Sequence, residues 1–187
     1  MGKRKHNTLK EYIFDQNTII TSGDCILVET AESVKPEVAR VNQIYKQNKK
    51  GKMVFDITWY LWPDDTTCGR LVFQGKNELL SSNWNDTVTA DSIIGKCTVH
   101  TFDIYEKLKD VGPNDFFSRS KYNHFTKAYD PEESLPVYCV CRWPYNPDYP
   151  MICCGKCNCW FHPSCMGVKS ISEVMKLDDI WFCQSCK

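Results

Sequence analysis

Along the first 130 residues the apolar positions fall into short clusters separated by Gly, Pro, Asn and Asp, a pattern that predicts strands rather than helices. The segments "DCILVE", "EVARVNQIY", "MVFDITWYLW", "GRLVFQ" and "KCTVHTF" are rich in β-branched and aromatic residues, which suit a pleated, half-buried surface. Within Met53 to Trp62, alternation puts Met53, Phe55, Ile57, Trp59 and Leu61 on one face and Val54, Asp56, Thr58, Tyr60 and Trp62 on the other. Trp59 and Trp62 then point to opposite sides unless a bulge intervenes. Several short strands predict a barrel or sandwich, and a segment of about 125 residues can bury a sizeable core without a metal.

The pattern changes at "YDPEESLP", Tyr129 to Pro136, where two prolines bracket an acidic polar run. This sets a domain boundary at about residue 134. Beyond it aliphatic residues are sparse, and about fifty residues of this kind cannot hold together by burial alone. One short helix is predicted after Ser170, which forms a capping box with Glu173 ahead of Val174 and Leu177. The cysteines divide the same way: Cys25, Cys68 and Cys97 stand alone in the first 138 residues, while nine crowd into the last 49.

No run of eighteen apolar residues occurs, and "MGKRKHNTLK" lacks an apolar h-region, so a soluble, unsecreted chain with no membrane partner is expected. In a reducing compartment its cysteines read as metal ligands and buried thiols rather than disulfides. Cys97 and His100 in "CTVH" have a ligand-like spacing, but alternation places them on opposite faces of a strand. A buried thiol and a hydrogen-bonded histidine are expected there instead of a metal.

Lys plus Arg and Asp plus Glu number 23 each, so any attraction to phosphate must be local. Residues 1–10 read as a basic tail carrying Lys3, Arg4, Lys5 and Lys10, and "KQNKKGK" presents Lys46, Lys49, Lys50 and Lys52. A solvated tail and a hairpin tip are the ordinary reading, with DNA phosphate contact by the four lysines as the alternative.

The densest chemistry lies in "MICCGKCNCWFHPSC", Met151 to Cys165, with five cysteines and a histidine in fifteen residues. Zinc takes four Cys or His ligands in a tetrahedron, and closely spaced pairs clasp one ion from a single turn. Four such pairs are present: Cys139 with Cys141, Cys154 with Cys157, His162 with Cys165, and Cys183 with Cys186, separated by twelve, four and seventeen residues. The four-residue gap is too short for the second and third pairs to close comfortably around one ion. An interleaved arrangement relieves this, with Cys139, Cys141, His162 and Cys165 on one zinc and Cys154, Cys157, Cys183 and Cys186 on the other. Choosing Cys154 over Cys153 rests on its spacing to Cys157. Four protein ligands per ion leave no open position, so both zincs are structural and not catalytic.

This ligand order, with Trp160 two residues before the histidine and Trp181 two before the seventh ligand, resembles the PHD finger. The resemblance implies a small cross-brace module over residues 134–187 that binds histone tails. Carried over residue by residue, a methyl-lysine cage would be built from Tyr138, Tyr145, Met151 and Trp160, and the family's usual target is histone H3 trimethylated at its fourth residue (H3K4me3). A trimethylammonium keeps its charge but donates no hydrogen bond, so π faces attract it better than carboxylates. The tail would add as a strand beside "MICC". Where many such fingers carry an acid just after the third ligand this sequence has Gly155, and Asp148 is the substitute for contacting the neighbouring arginine.

Upstream, "GKCTVHTF", "ARV", "WYLWP" and "GPNDFFSRSKYN" resemble the BAH domain, a distorted β-barrel, here over residues 11–133. The order of the two domains is similar to that of plant chromatin readers of the early-bolting and short-life type. The resemblance implies a mainly β fold, two structural zinc ions, a nuclear location, and a non-enzymatic regulator of transcription within a larger complex on nucleosomes. It also implies a barrel pocket for H3 trimethylated at its twenty-seventh residue (H3K27me3), or else a partner-docking barrel. Of that pocket's aromatic positions only Trp59 remains; the others are Glu37 and Leu61, and Trp84 stands where the family has a histidine. Trp62 and Trp84 are candidates to rebuild it. A scaffold that reads no mark, and a ubiquitin ligase using the finger as a platform, are the alternatives.

Overall fold

The structure is a computed structural model and describes residues 7–31, 34–47, 51–130, 135–169 and 180–187. It divides into two units, Met1–Arg70 with Asn77–Glu133, and Leu71–Lys76 with Ser134–Lys187. The boundary placed at residue 134 and the helix predicted after Ser170 both lie outside the described residues.

The first unit is built from β1 (Asn7–Leu9), β2 (Glu11–Ile13), β3 (Ile19–Thr21), β4 (Cys25–Val28), β5 (Glu37–Lys46), β6 (Met53–Leu61), β7 (Glu78–Thr89), β8 (Ile93–Thr101), α1 (Phe102–Tyr105), β9 (Asp115–Asn123) and β10 (Ala128–Tyr129). One eight-stranded sheet runs β1-β5-β4-β8-β9-β7-β6, with β10 on β9, and the additional pairing of β6 with β5 closes it into a barrel. Most neighbours are antiparallel, but β9 runs parallel to both β7 and β8. Parallel pairing needs a crossover, and α1 with the loop after it carries the chain from β8 to β9. The ribbon β2–β3 stands apart from the sheet.

The alternation read in β6 holds over its first half. Phe55 and Ile57 are fully buried, and Trp59 joins them in a core cluster with Ile26, Val41 and Ile44. The ladder then slips: Thr58 faces Asn85 and Tyr60 faces Ser81, so that Trp59 alone spans Ser82, Asn83 and Trp84. This bulge on β7 is what brings Trp84 towards Trp59. Trp62 turns the other way, into a second cluster with Leu27, Val38, Leu79, Cys97 and Phe116. Its ring meets Phe116 edge-on at 5.6 Å, and its N–H donates to the Pro36 carbonyl at 3.3 Å.

Cys97 is buried, directly opposite Cys25 across β4 and β8, and burial pushes its thiol up to about 12. His100 instead meets Asp115 at 2.8 Å. Arg119 forms a buried ion pair with Glu78 at 3.0 Å, and its guanidinium lies over the Phe102 ring, 4.4 Å from the ring centre.

Three sequence expectations differ. "GRLVFQ" forms turns and no strand, and most of it belongs to the second unit. The long β7 and β9 were not anticipated, because "ELLSSNWNDTVT" and "DFFSRSKYN" are too polar to show a clear apolar period. The basic tail is shorter than residues 1–10, since Asn7 to Leu9 pair with Lys46 to Ile44 of β5.

The second unit has two short ribbons, β11 (Val137–Tyr138) with β12 (Trp143–Pro144) and β13 (Ile152–Cys153) with β14 (Trp160–Phe161). Asn146, 3% exposed, donates through Nδ2 to the carbonyls of Val72 at 2.9 Å and Gln74 at 3.4 Å. Phe73 packs on Trp143 with ring centres 6.0 Å apart. Residues 71–76 thus supply part of the core that the sparse aliphatic content of this unit cannot.

Candidate functional site

The interleaved ligand sets come together in space. Ligand atoms of Cys139, Cys141, His162 and Cys165 lie within 4.8 Å of one another, and so do those of Cys154, Cys157, Cys183 and Cys186. Tetrahedral zinc with Zn–S bonds of about 2.3 Å sets its sulfurs about 3.8 Å apart; Cys157 Sγ and Cys183 Sγ stand at 3.9 Å. Cys141 Sγ is 3.3 Å from His162 Nδ1, so Nδ1 is the ring nitrogen turned toward this cluster. Cys153 and Cys159 belong to neither set.

The backbone is shaped to hold these sulfurs. Cys139, Arg142 and Asn158 adopt left-handed φ values of 61°, 56° and 57°, a region that costs a non-glycine residue about 1 kcal/mol or more. Such bends turn successive N–H groups onto the sulfurs. Burial raises the Cys139 thiol, but the N–H groups of Cys141 and His162 outweigh it and bring the thiol down to about 6. Cys154 falls to about 6 in the same way, through N–H groups of Cys157, Cys183 and Lys156. Cys165 goes the other way, to about 11, through burial and the sulfurs of Cys139 and Cys141. Cys186 rises to about 12 beside Cys183. The three sulfurs of one cluster and the four of the other lie too close to all ionise alone, and a divalent cation removes the conflict. The donor sets therefore fit two structural zinc ions, each of which cross-links two distant chain segments.

The four residues named for a cage lie on or beside the short strands. Tyr138 is on β11, Tyr145 follows β12, Met151 precedes β13, and Trp160 is on β14. The N–H of Cys139 donates to the Trp160 carbonyl at 3.1 Å, which sets β14 beside the end of β11. Trp160 is 48% exposed, whereas Tyr138, Tyr145 and Met151 are half-buried. Among the described residues β13 pairs only with β14, which leaves its other edge open.

Gly155 and Asp148 have identifiable tasks. A Cβ at residue 155 would stand 1.7 Å from Ile180 Cγ2, and the Gly155 N–H donates to the Trp181 carbonyl at 2.9 Å. The C-terminal segment occupies the space a side chain there would need. Asp148 accepts from the Lys76 N–H through Oδ2, so its carboxylate fastens residues 71–76 within this unit.

In the barrel, a cavity of about 370 Å³ is lined by Glu37, Trp59, Leu61 and Trp84, and also by Tyr122, His124 and Lys127. Trp84 packs against Trp59 at 6.0 Å and stacks on His124 at 4.2 Å, 17° from parallel. Trp62 is not in the lining. Sequence reasoning missed Tyr122 and His124, which reach the cavity from β9 and the turn after it; "KYNHF" is aromatic but carries no spacing that ties it to β6. Of the lysines weighed for DNA contact, Lys52 pairs with Asp91 at 3.2 Å, and Lys49 and Lys50 lie outside the described residues.

A distorted closed barrel and a cross-braced finger with two zinc sites define a tandem of binding domains. Residues 18–132 match the BAH domain family and residues 139–186 the PHD-finger family, and the chain belongs to the BAH–PHD proteins. It is 40% identical over 186 residues to the chromatin remodeling protein SHL of Arabidopsis thaliana, spanning 98% of this chain and 80% of that one. The chromatin remodeling protein EBS of the same plant is 39% identical over 171 residues, 91% of this chain and 71% of its own. The yeast Rsc2 BAH domain shares the barrel fold, with a TM-score of 0.52 at 24% identity over 65% of this chain and 53% of that one.

Proposed function

We propose that this protein is a nuclear chromatin reader whose PHD finger binds the histone H3 tail and selects H3K4me3. The observation that carries this reading is the half-exposed Trp160 on β14, one strand away from the open edge of β13. An open edge offers backbone hydrogen bonds to an extended peptide, and an exposed indole beside it offers a π face to a methylated ammonium. Tyr138, Tyr145 and Met151 would complete the cage. Membership of a family whose members SHL and EBS are chromatin remodeling proteins supports the setting. Because Gly155 is filled over by Ile180 and Asp148 is engaged with Lys76, selectivity in this reading rests on the cage and the added strand, not on an acidic contact to the arginine. The output would be regulation of transcription through recruitment of a larger complex to nucleosomes.

Calorimetric titration of the zinc-loaded chain with H3 tail peptides that differ only in methylation at that lysine tests the proposal. Tighter binding of the trimethylated peptide by about tenfold, roughly 1.4 kcal/mol, is expected. Equal affinity for both peptides would leave the scaffold reading in its place.

A further inference from the structure

The second zinc set has one more sulfur beside it than it needs. Cys159 is exposed and belongs to neither ligand set, yet its Sγ lies 3.6 Å from the Cys157 carbonyl oxygen. A hydrogen bond also joins the Cys157 and Cys159 side chains. The residue between them explains this closeness. Asn158 has a left-handed φ of 57°. Its N–H donates to the Cys154 carbonyl at 2.9 Å, and the Cys154 N–H donates in turn to the Cys159 carbonyl at 2.9 Å. A residue of helical curvature, of either hand, holds its two neighbours' Cα atoms about 5.5 Å apart. Disulfides span about 4.4–6.8 Å between Cα atoms, so this turn already holds Cys157 and Cys159 at bridging distance.

Exposure selects the same pair. In the second set Cys154 and Cys183 are buried and Cys186 is half-buried, whereas Cys157 is exposed. A small oxidant therefore reaches Cys157 first. The first set has an exposed ligand too, Cys165, but no second cysteine in its turn. Cys153 is the other cysteine outside both sets. It faces Trp160 across the ribbon, and alternation puts its side chain on the opposite face from that of Cys154.

We propose that Cys159 is a resolving thiol for Cys157, which makes the second metal site of the finger a reversible target of hydrogen peroxide. The Cys157 thiolate attacks the peroxide: an S–O bond forms, the O–O bond breaks, and the departing hydroxide takes a proton from solvent to become water. The Cys159 sulfur then attacks the Cys157 sulfur, so that the S–S bond forms, the S–O bond breaks, and a second water leaves with the Cys159 proton. Two sulfurs lose two electrons and the peroxide gains them. Cys157 in a disulfide is no longer a ligand, and Cys154, Cys183 and Cys186 alone hold zinc more weakly. Without a neighbouring thiol, further oxidation of Cys157 to the sulfinic acid is irreversible. This chemistry goes beyond the reading of histone tails and holds whatever the finger binds.

The test treats the full, zinc-loaded chain with hydrogen peroxide and then with dithiothreitol and zinc. A chromogenic chelator follows the zinc, and peptide mass spectrometry follows the cysteines. The native chain should release one of its two zincs, carry a Cys157–Cys159 disulfide, and regain full occupancy after reduction. Cys159→Ser should load both zincs beforehand, but its recovery should be about fivefold lower, with Cys157 found as sulfinic or sulfonic acid. Cys153→Ser should behave as the native chain does. Absence of the Cys157–Cys159 link from the oxidised native chain overturns the proposal, as does a Cys159→Ser chain that recovers as fully as the native one. A Cys159→Ser chain that loads only one zinc makes Cys159 a ligand, and a Cys153→Ser chain that fails to recover transfers the role to Cys153; either result overturns it as well.

Discussion

At Gly155, space decides which residue the finger can carry. The use of glycine here is not conformational freedom but space: Ile180 Cγ2 would lie 1.7 Å, and Ile180 Cβ 3.3 Å, from an added Cβ. Gly155→Asp should therefore cost about 1–2 kcal/mol of finger stability through overpacking, read as earlier zinc release in denaturant. The companion change Ile180→Ala should restore most of that loss. His124 gives a second test at this scale. Its proton affinity is lowered from 6.5 by burial and by Lys127, so the folded state resists the charge. The stability contributed by the neutral Trp84–His124 stack is then full above about pH 6.5 and is lost as pH falls through the lower folded value. An NMR titration of the His124 ring should give a midpoint below 6.5, and Lys127→Ala should move it upward.

At the scale of elements, legibility followed amphipathicity. The strands β4, β5, β6 and β8 were readable because each presents an apolar face to a core, and Cys97 and His100 fell where alternation put them. Strands β7 and β9 were not, because Ser, Asn, Asp and Arg dominate them and their pairing is decided by neighbours far away in sequence. "GRLVFQ" deceived in the opposite sense: its apolar residues serve the finger unit through Phe73 on Trp143 and the Val72 carbonyl on Asn146. The two Cys/His groups that gather in the finger were legible because their members come in closely spaced pairs, which one turn can aim at one ion.

The ladder of the second ribbon makes a further element-scale prediction. Cys154 N–H donates inward to the Cys159 carbonyl at 2.9 Å, so by antiparallel alternation the N–H groups of Met151 and Cys153 face the open edge and that of Ile152 faces β14. Adding the H3 peptide should slow amide exchange at Met151 and Cys153 and leave Ile152 and Cys154 unchanged. Protection at Ile152 alone would place the peptide elsewhere.

For the whole molecule, two units are stabilised by different physics. The barrel has its own apolar clusters, while the finger depends on zinc, whose binding is worth on the order of 10 kcal/mol in modules of this size. Chelation should melt the finger unit, residues 71–76 included, and abolish methyl-peptide binding. The near-ultraviolet signal of the barrel tryptophans should persist through it. The central claim, that the finger is a methyl-lysine reader, is tested most directly by one quantity: the ratio of H3 tail affinities, trimethylated over unmethylated, measured by calorimetry in the native chain and in Trp160→Ala with both zincs bound. A ratio near ten that falls to about one in Trp160→Ala is predicted. A ratio of one in the native chain, or one that survives the loss of Trp160, would contradict it.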